Sequence, residues 1–133
     1  MSNQISKDYA LLLLRLVFGG AMIIGHGWRK LNRIINGAEI KFSDPLGIGQ
    51  ELSFYLAVGA EFFCAVLLII GLFTRLATIP LLFTMLVIIF LVQIDQPFGK
   101  MELPILYATA FIVILLLGPG KYSLDNWRFQ RHP

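Results

Sequence analysis

Apolar residues along this chain fall into four long runs separated by short polar stretches. The first run, residues 9–31, contains Arg15 and His26 and ends in a basic cluster, Arg29 and Lys30. The second, 52–73, holds one charge, Glu61, and the third, 76–92, holds none. Pro80 falls in the first turns of the third run, where a missing N–H costs least. The fourth, 102–118, is uncharged after Glu102. A helix needs about 20 apolar residues to cross hydrocarbon. The pattern therefore predicts an all-α fold, a single membrane domain of four transmembrane helices.

The connections differ in kind. Residues 32–51 are rich in Gly, Asn, Asp and Pro and read as turns. Only Thr74 and Arg75 separate the second and third runs, which implies a tight helical hairpin. Pro97 and Gly99 mark the third loop, and 121–133 is a polar, basic tail. A secretory signal peptide is the competing reading of the first run. The length of the run, the interruption at Arg15 and the lack of a small-x-small cleavage site count against it.

Composition narrows the class. The 133 residues are 57% hydrophobic and 14% charged, with a mean hydropathy of +0.76. A soluble domain is roughly 45–50% apolar and about 25% charged, so neither a soluble globule nor a disordered chain fits. A single cysteine, Cys64, excludes an internal disulfide and any dithiol chemistry within one chain. The net charge of +3 would suggest nucleic acid in a soluble protein. Here the basic residues end apolar runs, where they meet lipid headgroups and set topology. Four spans place Lys7, Arg75, Lys121, Arg128 and Arg131 on the side of the termini, with Arg15 snorkelling towards them. Arg29, Lys30, Arg33, Lys41 and Lys100 fall on the other side. The balance predicts cytoplasmic termini.

Arg15, His26 and Glu61 form the candidate intramembrane polar site. An ionisable side chain at membrane depth costs at least about 2.5–3.5 kcal/mol on insertion scales, so such groups face the bundle interior, paired or wet. Arg15 and His26 are eleven residues apart, about 20° from a common helix face and about 16 Å apart along it. Met22 and Lys30 share that stripe. Glu61 lies at an intermediate height on the second helix. It can approach Arg15, or His26 through water. A structural Arg15–Glu61 ion pair and a proton or ligand site are both open, and His26 can also be read as bonded to a backbone carbonyl. Small residues spaced four apart, Ala21 with Gly25 and Ala60 with Cys64, fit close helix packing, with room for a flat ligand as the alternative. A bis-histidine haem and a zinc site lack ligands, and no nucleophile triad is present, so the metal expectation is none.

Four segments in order carry a resemblance: "LRLVFGGAMIIGHGWRKL" (14–31), "FSDPLGIG" (42–49), "LAVGAEFFCAVLLIIGLFTRLA" (56–77) and "MELPILYATAFIVILLLGPGKYSLD" (101–125). With them the chain resembles the DoxX family of small four-helix bacterial membrane proteins. The resemblance implies a multi-pass protein of the cytoplasmic (inner) membrane, associated with quinone-linked sulfur oxidation and with soluble redox enzymes. It carries over Arg15, His26, Lys30, Glu61, Arg75 and Glu102 as the matching polar positions. Arg75 also reads as a headgroup anchor, and Glu102 as a charge at the positive end of a helix dipole. Many similar sequences have a histidine where this chain has Gln93, which weakens any metal or proton role that would rest on it.

Three functions stay open. The first is a redox-linked component in which a quinone, or another small polar-aromatic or hydrophobic ligand, sits between the first two helices. His26 would bond a carbonyl or shuttle a proton, with Glu61 and Arg15 tuning it. The second is a small proton-coupled transporter built on Glu61. The third is a non-catalytic anchor or assembly factor for a soluble partner, docking through residues 32–51 and the tail. A homo-oligomer is left open. The partners expected are the lipid bilayer and a soluble redox or assembly protein, with no nucleic acid.

Overall fold

A computed structural model describes residues 2–131 of the chain, and its regular elements are all helical. Four helices are long and apolar enough to cross a membrane. They are α1 (Asn3–Ile35), α2 (Gln50–Ile70), α3 (Thr74–Val92) and α4 (Phe98–Leu117). A short helix, α5 (Leu124–Arg131), follows. The expected all-α four-helix bundle is what the chain forms.

The helices overrun the apolar runs that announced them. α1 begins at Asn3 because the Ser2 side chain caps it, accepting from the Ile5 N–H at 3.3 Å. It continues to Ile35 through Arg29, Lys30 and Arg33, since long charged side chains favour helix once they leave the apolar layer. The first connection therefore spans only 36–49. α4 starts at Phe98, behind Pro97, which places Glu102 in its second turn. The tail is not only polar: α5 carries Leu124, Trp127 and Phe129 among its arginines, with Arg131 over the Trp127 ring at 4.1 Å.

The core is narrow, as a membrane bundle permits. Met22, Leu68, Leu81, Met85, Phe111 and Ile114 fill the space between the four long helices. Large apolar side chains such as Leu13, Val17, Ile24, Phe63, Leu76 and Phe83 point outwards. In water such a surface would be an aggregation site, whereas in lipid it costs nothing.

One end of the bundle is tied by polar side chains bonded to backbone. Arg15 is only 1% exposed. Its Nε donates to Leu68 O (2.9 Å) and its Nη2 to Ile69 O (2.8 Å), the last carbonyls of α2. Its Nη1 donates to Pro119 O (2.9 Å) and Tyr122 O (2.8 Å), beyond α4. Arg75 does the same for α4, donating to Leu115 O and Leu116 O. Asp125 caps α3 from a distance, accepting from the Phe73 and Thr74 N–H groups at 2.8 Å each. That clamp holds Phe73 at φ 49°, a left-handed conformation that a bulky residue rarely adopts. Asp8, buried in α1, accepts from the Lys121 N–H at 3.1 Å. The hairpin turn itself depends on Gly71 at φ 72°. A Cβ there would lie 2.4 Å from the Ser123 Cβ and 2.7 Å from Arg15 Nη2.

Arg15→Lys keeps the charge but presents one ammonium to four carbonyls arranged for a planar fork. Losing two of the four charge-assisted bonds is expected to destabilise the bundle by about 3 kcal/mol. Thermal unfolding of the purified variant in detergent, followed by size-exclusion fluorescence, checks this. A melting temperature equal to wild type would show that the network contributes nothing.

Candidate intramembrane binding site

Three of the long helices depart from α geometry at the same place. α1 is π-helical over Ile23–Gly27, α2 over Gly59–Cys64 and α3 over Ile88–Val92. A π turn inserts a residue, widens the helix and re-aims the side chains that follow, and it recurs at functional sites. In α1 and α2 the local sequences, with Gly25, Gly27, Gly59 and Ala60, present little side chain to resist the widening. The first two segments pack backbone to backbone. A Cβ on Gly27 would come within 2.3 Å of Glu61 O, so only glycine fits.

That contact brings α1 and α2 together beside a cavity of about 560 Å³. Its polar lining comes chiefly from His26, Lys30, Glu61 and Gln93. Glu61 is 2% exposed, and its Oε2 accepts from Lys30 Nζ at 2.5 Å. Unpaired, either charge would be costly at this depth; paired, they neutralise one another beside the cavity. His26 is half-buried, with its ring edge-on to the buried Tyr107 at a centroid distance of 6.2 Å. Gln93 follows the α3 π segment, and its buried Oε1 has no hydrogen-bond partner among the described residues. The rest of the lining is apolar and includes Leu56, Phe83 and Val87. Leu56 and Phe83 are also more than half exposed on the lipid-facing surface.

The loop after α1 lies over the cavity. Phe42, Pro45, Leu46 and Ile48 all line it. Phe42 packs edge-on against Phe54 at 5.4 Å and lies 5.8 Å from the Lys30 ammonium. Asp44 fixes the loop's shape, accepting from Ile48 N (2.9 Å), Gly49 N (2.8 Å) and Ser53 Oγ (3.0 Å). The Gly49 N–H leads in holding the Asp44 carboxyl below the usual carboxylate range, with Ser53 and Ile48 adding to it against an opposing desolvation.

The sequence-level candidates therefore divide. His26, Lys30 and Glu61 meet at one cavity. Arg15 does not reach Glu61: it is held by backbone carbonyls at the other end of the bundle. Arg75 joins it there, and Glu102 is exposed on α4. Cys64 is half-buried against the core and unpaired. Asp125, with Tyr122 and Ser123, reads from the sequence as a polar cap after Gly-Pro-Gly, and it does cap, though on α3; nothing in the local sequence of Asp8 or Asp44 announces the backbone donors they meet. The nearest available signal was position: each lies within a few residues of a helix end.

Comparison with known proteins agrees with this architecture. The family model described as DoxX matches residues 10–94. A protein of Haemophilus influenzae, described as uncharacterized, is 28% identical over 92% of this chain and 85% of its own length. No solved structure matches.

Gly27→Ala is expected to force α1 and α2 apart and to destabilise the protein by about 3 kcal/mol, in the range of overpacking. Gly20→Ala, where an added Cβ meets nothing within 4 Å, is the control, with an expected gain of up to about 1 kcal/mol. Equal melting temperatures for the two variants would refute the close approach.

A second expectation concerns acid. The folded Asp44 carboxyl titrates below its unfolded value, so its stabilisation of the loop is complete above the ordinary carboxylate range. It is lost as pH falls through the depressed folded value. Hydrogen exchange over 44–49, corrected for intrinsic rates, should accelerate through that window, and Asp44→Ala should show the fast exchange already at neutral pH. Unchanged protection in Asp44→Ala would count against the clamp.

Proposed function

The chain belongs to the DoxX family, and within it we propose that this protein is a redox-linked component of the bacterial inner membrane that binds a quinone or quinol between α1, α2 and α3. The observation that carries the reading is the cavity itself. At about 560 Å³ it lies within the 300–1,000 Å³ typical of small-molecule sites. Its walls are mostly apolar, with a few polar groups gathered from three helices. That division suits a ring with polar substituents and an apolar tail.

Several features favour a ligand that arrives through the bilayer. Leu56 and Phe83 line the cavity and also lie on the lipid-facing surface. Lys30 and Gln93 offer hydrogen-bond donors, and Gln93 also carries an unsatisfied acceptor. His26 offers one nitrogen of each kind when neutral. A quinone supplies two carbonyl acceptors and a quinol two hydroxyl donors, so one site with both kinds of group accommodates either. The ligand brings the electron-carrying capacity. The protein's residues position it and handle protons: His26 gives or takes a proton at a ring oxygen, and the Lys30–Glu61 pair holds the local charge near neutral as that proton moves. A soluble redox partner docking at the 36–49 loop, at the end of the bundle where the cavity lies, would exchange the electrons. Arg15, spent on carbonyls, plays no part in tuning the ligand.

The test is saturable binding of a short-chain ubiquinone or menaquinone analogue to protein in lipid nanodiscs, by calorimetry. His26→Ala should weaken binding about tenfold, the cost of one hydrogen bond, with its melting temperature preserved. Absence of saturable binding to the wild-type protein, or wild-type affinity in both His26→Ala and Gln93→Leu, would overturn the proposal.

A further inference from the structure

A second cavity, of about 920 Å³, lies at the opposite end of the bundle between the start of α1, the α2–α3 turn and α5. Six charged residues line it: Lys7, Asp8, Arg75, Lys121, Asp125 and Arg128. Both carboxylates are committed to backbone donors, Asp8 to the Lys121 N–H and Asp125 to the Phe73 and Thr74 N–H groups. Arg75 is committed to the last carbonyls of α4. The Lys7 and Lys121 ammoniums and the Arg128 guanidinium form no ion pair with a carboxylate among the described residues. Arg128 is steadied over the Phe73 ring at 5.1 Å, and Lys121 over the Tyr122 ring at 6.0 Å. This groove gathers positive charge and spends its own negative charge on holding the fold.

A further observation points to a ligand. Thr74 is on the wall of the groove and is 1% exposed. Its Oγ1 is buried and has no hydrogen-bond partner among the described residues. Buried hydroxyls are almost always satisfied. Here the hydroxyl sits at the first turn of α3, the positive end of a helix that runs to Val92.

We propose that this groove is a binding site for a phosphate group whose charge is not balanced by a cation of its own, as in an anionic phospholipid, held by Lys7, Lys121 and Arg128 with the Thr74 hydroxyl as an additional donor. The chemistry fits because phosphate offers several acceptor oxygens to several convergent donors. The site lies at the helix ends, where headgroups lie. Its rim carries the exposed apolar side chains Phe73, Leu76, Leu117 and Phe129 beside the cations. A phosphate attached to acyl chains satisfies both halves of the groove, whereas free phosphate satisfies one.

Native mass spectrometry of the full chain in detergent tests the proposal. Phosphatidylglycerol and phosphatidylcholine of the same chain length are titrated against wild type, the triple variant Lys7→Gln/Lys121→Gln/Arg128→Gln, and Thr74→Val. The three cations are exposed, so the triple variant should fold, and its melting temperature in phosphatidylcholine should match wild type. The expected result is one tightly held phosphatidylglycerol per chain, at least tenfold preferred over phosphatidylcholine. Affinity should fall about fivefold for each cation removed, roughly a hundredfold for the triple variant. Thr74→Val, nearly isosteric, should lose affinity severalfold without losing stability. Displacement of the lipid by millimolar inorganic phosphate supports the site with free phosphate as a source; retention of the lipid supports it with the headgroup as the source. Equal binding of the two lipids by wild type, or wild-type phosphatidylglycerol affinity in the triple variant, overturns it. Both outcomes are independent of whether a quinone binds at His26.

Discussion

Four backbone carbonyls converge on one guanidinium, and the rest of the bundle is arranged around that fact. A helix ends with carbonyls that have no partner within it, and at the edge of hydrocarbon water does not reliably supply one. Arg15 supplies the end of α2 and the segment after α4 at once. It is the largest of the fully buried side chains, and it is buried without a carboxylate partner. The cost of desolvating a cation is offset by bonds to four oxygens that would otherwise lack donors. Because those oxygens belong to two different parts of the chain, Arg15 fixes where α2 stops and where the chain turns after α4. Arg75 and Asp125 then use the same chemistry on the remaining ends.

With that end tied by side chain–backbone bonds, the helices can pack less regularly at the other. The spacing of α1 and α2 is set at the opposite pole by Gly27 against Glu61. The π turns beside it re-aim His26 and Glu61 without breaking either helix. Pro80 and Pro104 line the same cavity, and each removes a backbone donor from its helix. The Gly27 contact, the π turns and the two prolines all interrupt regular packing, and they lie together at this cavity. Loose packing is costly in a small bundle, and its confinement to one region is the structural argument that the region is used.

The spans were legible in the sequence because hydropathy averages over twenty residues and tolerates errors of a few. Their ends were not, since charged helix formers such as Arg29 and Arg33 extend a helix beyond the apolar layer without a change of residue type to mark it. Among the site residues, the helical face shared by His26 and Lys30 was readable from spacing alone. The partners were not. Helical periodicity says which face a residue occupies, not which neighbour that face meets. It places Arg15 on the same stripe as Lys30 and leads to the expectation that Glu61 approaches Arg15, or His26 through water, rather than Lys30. What separates the two cations is depth. Lys30 lies at the level of Glu61, while Arg15 lies at the level of the chain ends, where carbonyls outnumber carboxylates. The π turns were hidden because they depend on contact between segments distant in sequence.

Polar groups inside the membrane thus follow two different economies in one small protein. At the terminal end Arg15, Arg75, Asp8 and Asp125 all bond to backbone, so the charges there hold the chain's path. At the cavity the charges meet each other, Lys30 with Glu61, while a neighbouring amide oxygen on Gln93 is left unsatisfied. Side chain–backbone bonds cannot be exchanged without unravelling a helix end, which makes Arg15 and Asp125 poor places for chemistry whatever their burial. A side chain–side chain pair can open, accept a proton or turn to a ligand while both helices stay intact. Burial and charge alone point equally to Arg15 and Glu61; the partner atoms separate them, backbone carbonyls for Arg15 and an exchangeable side chain for Glu61.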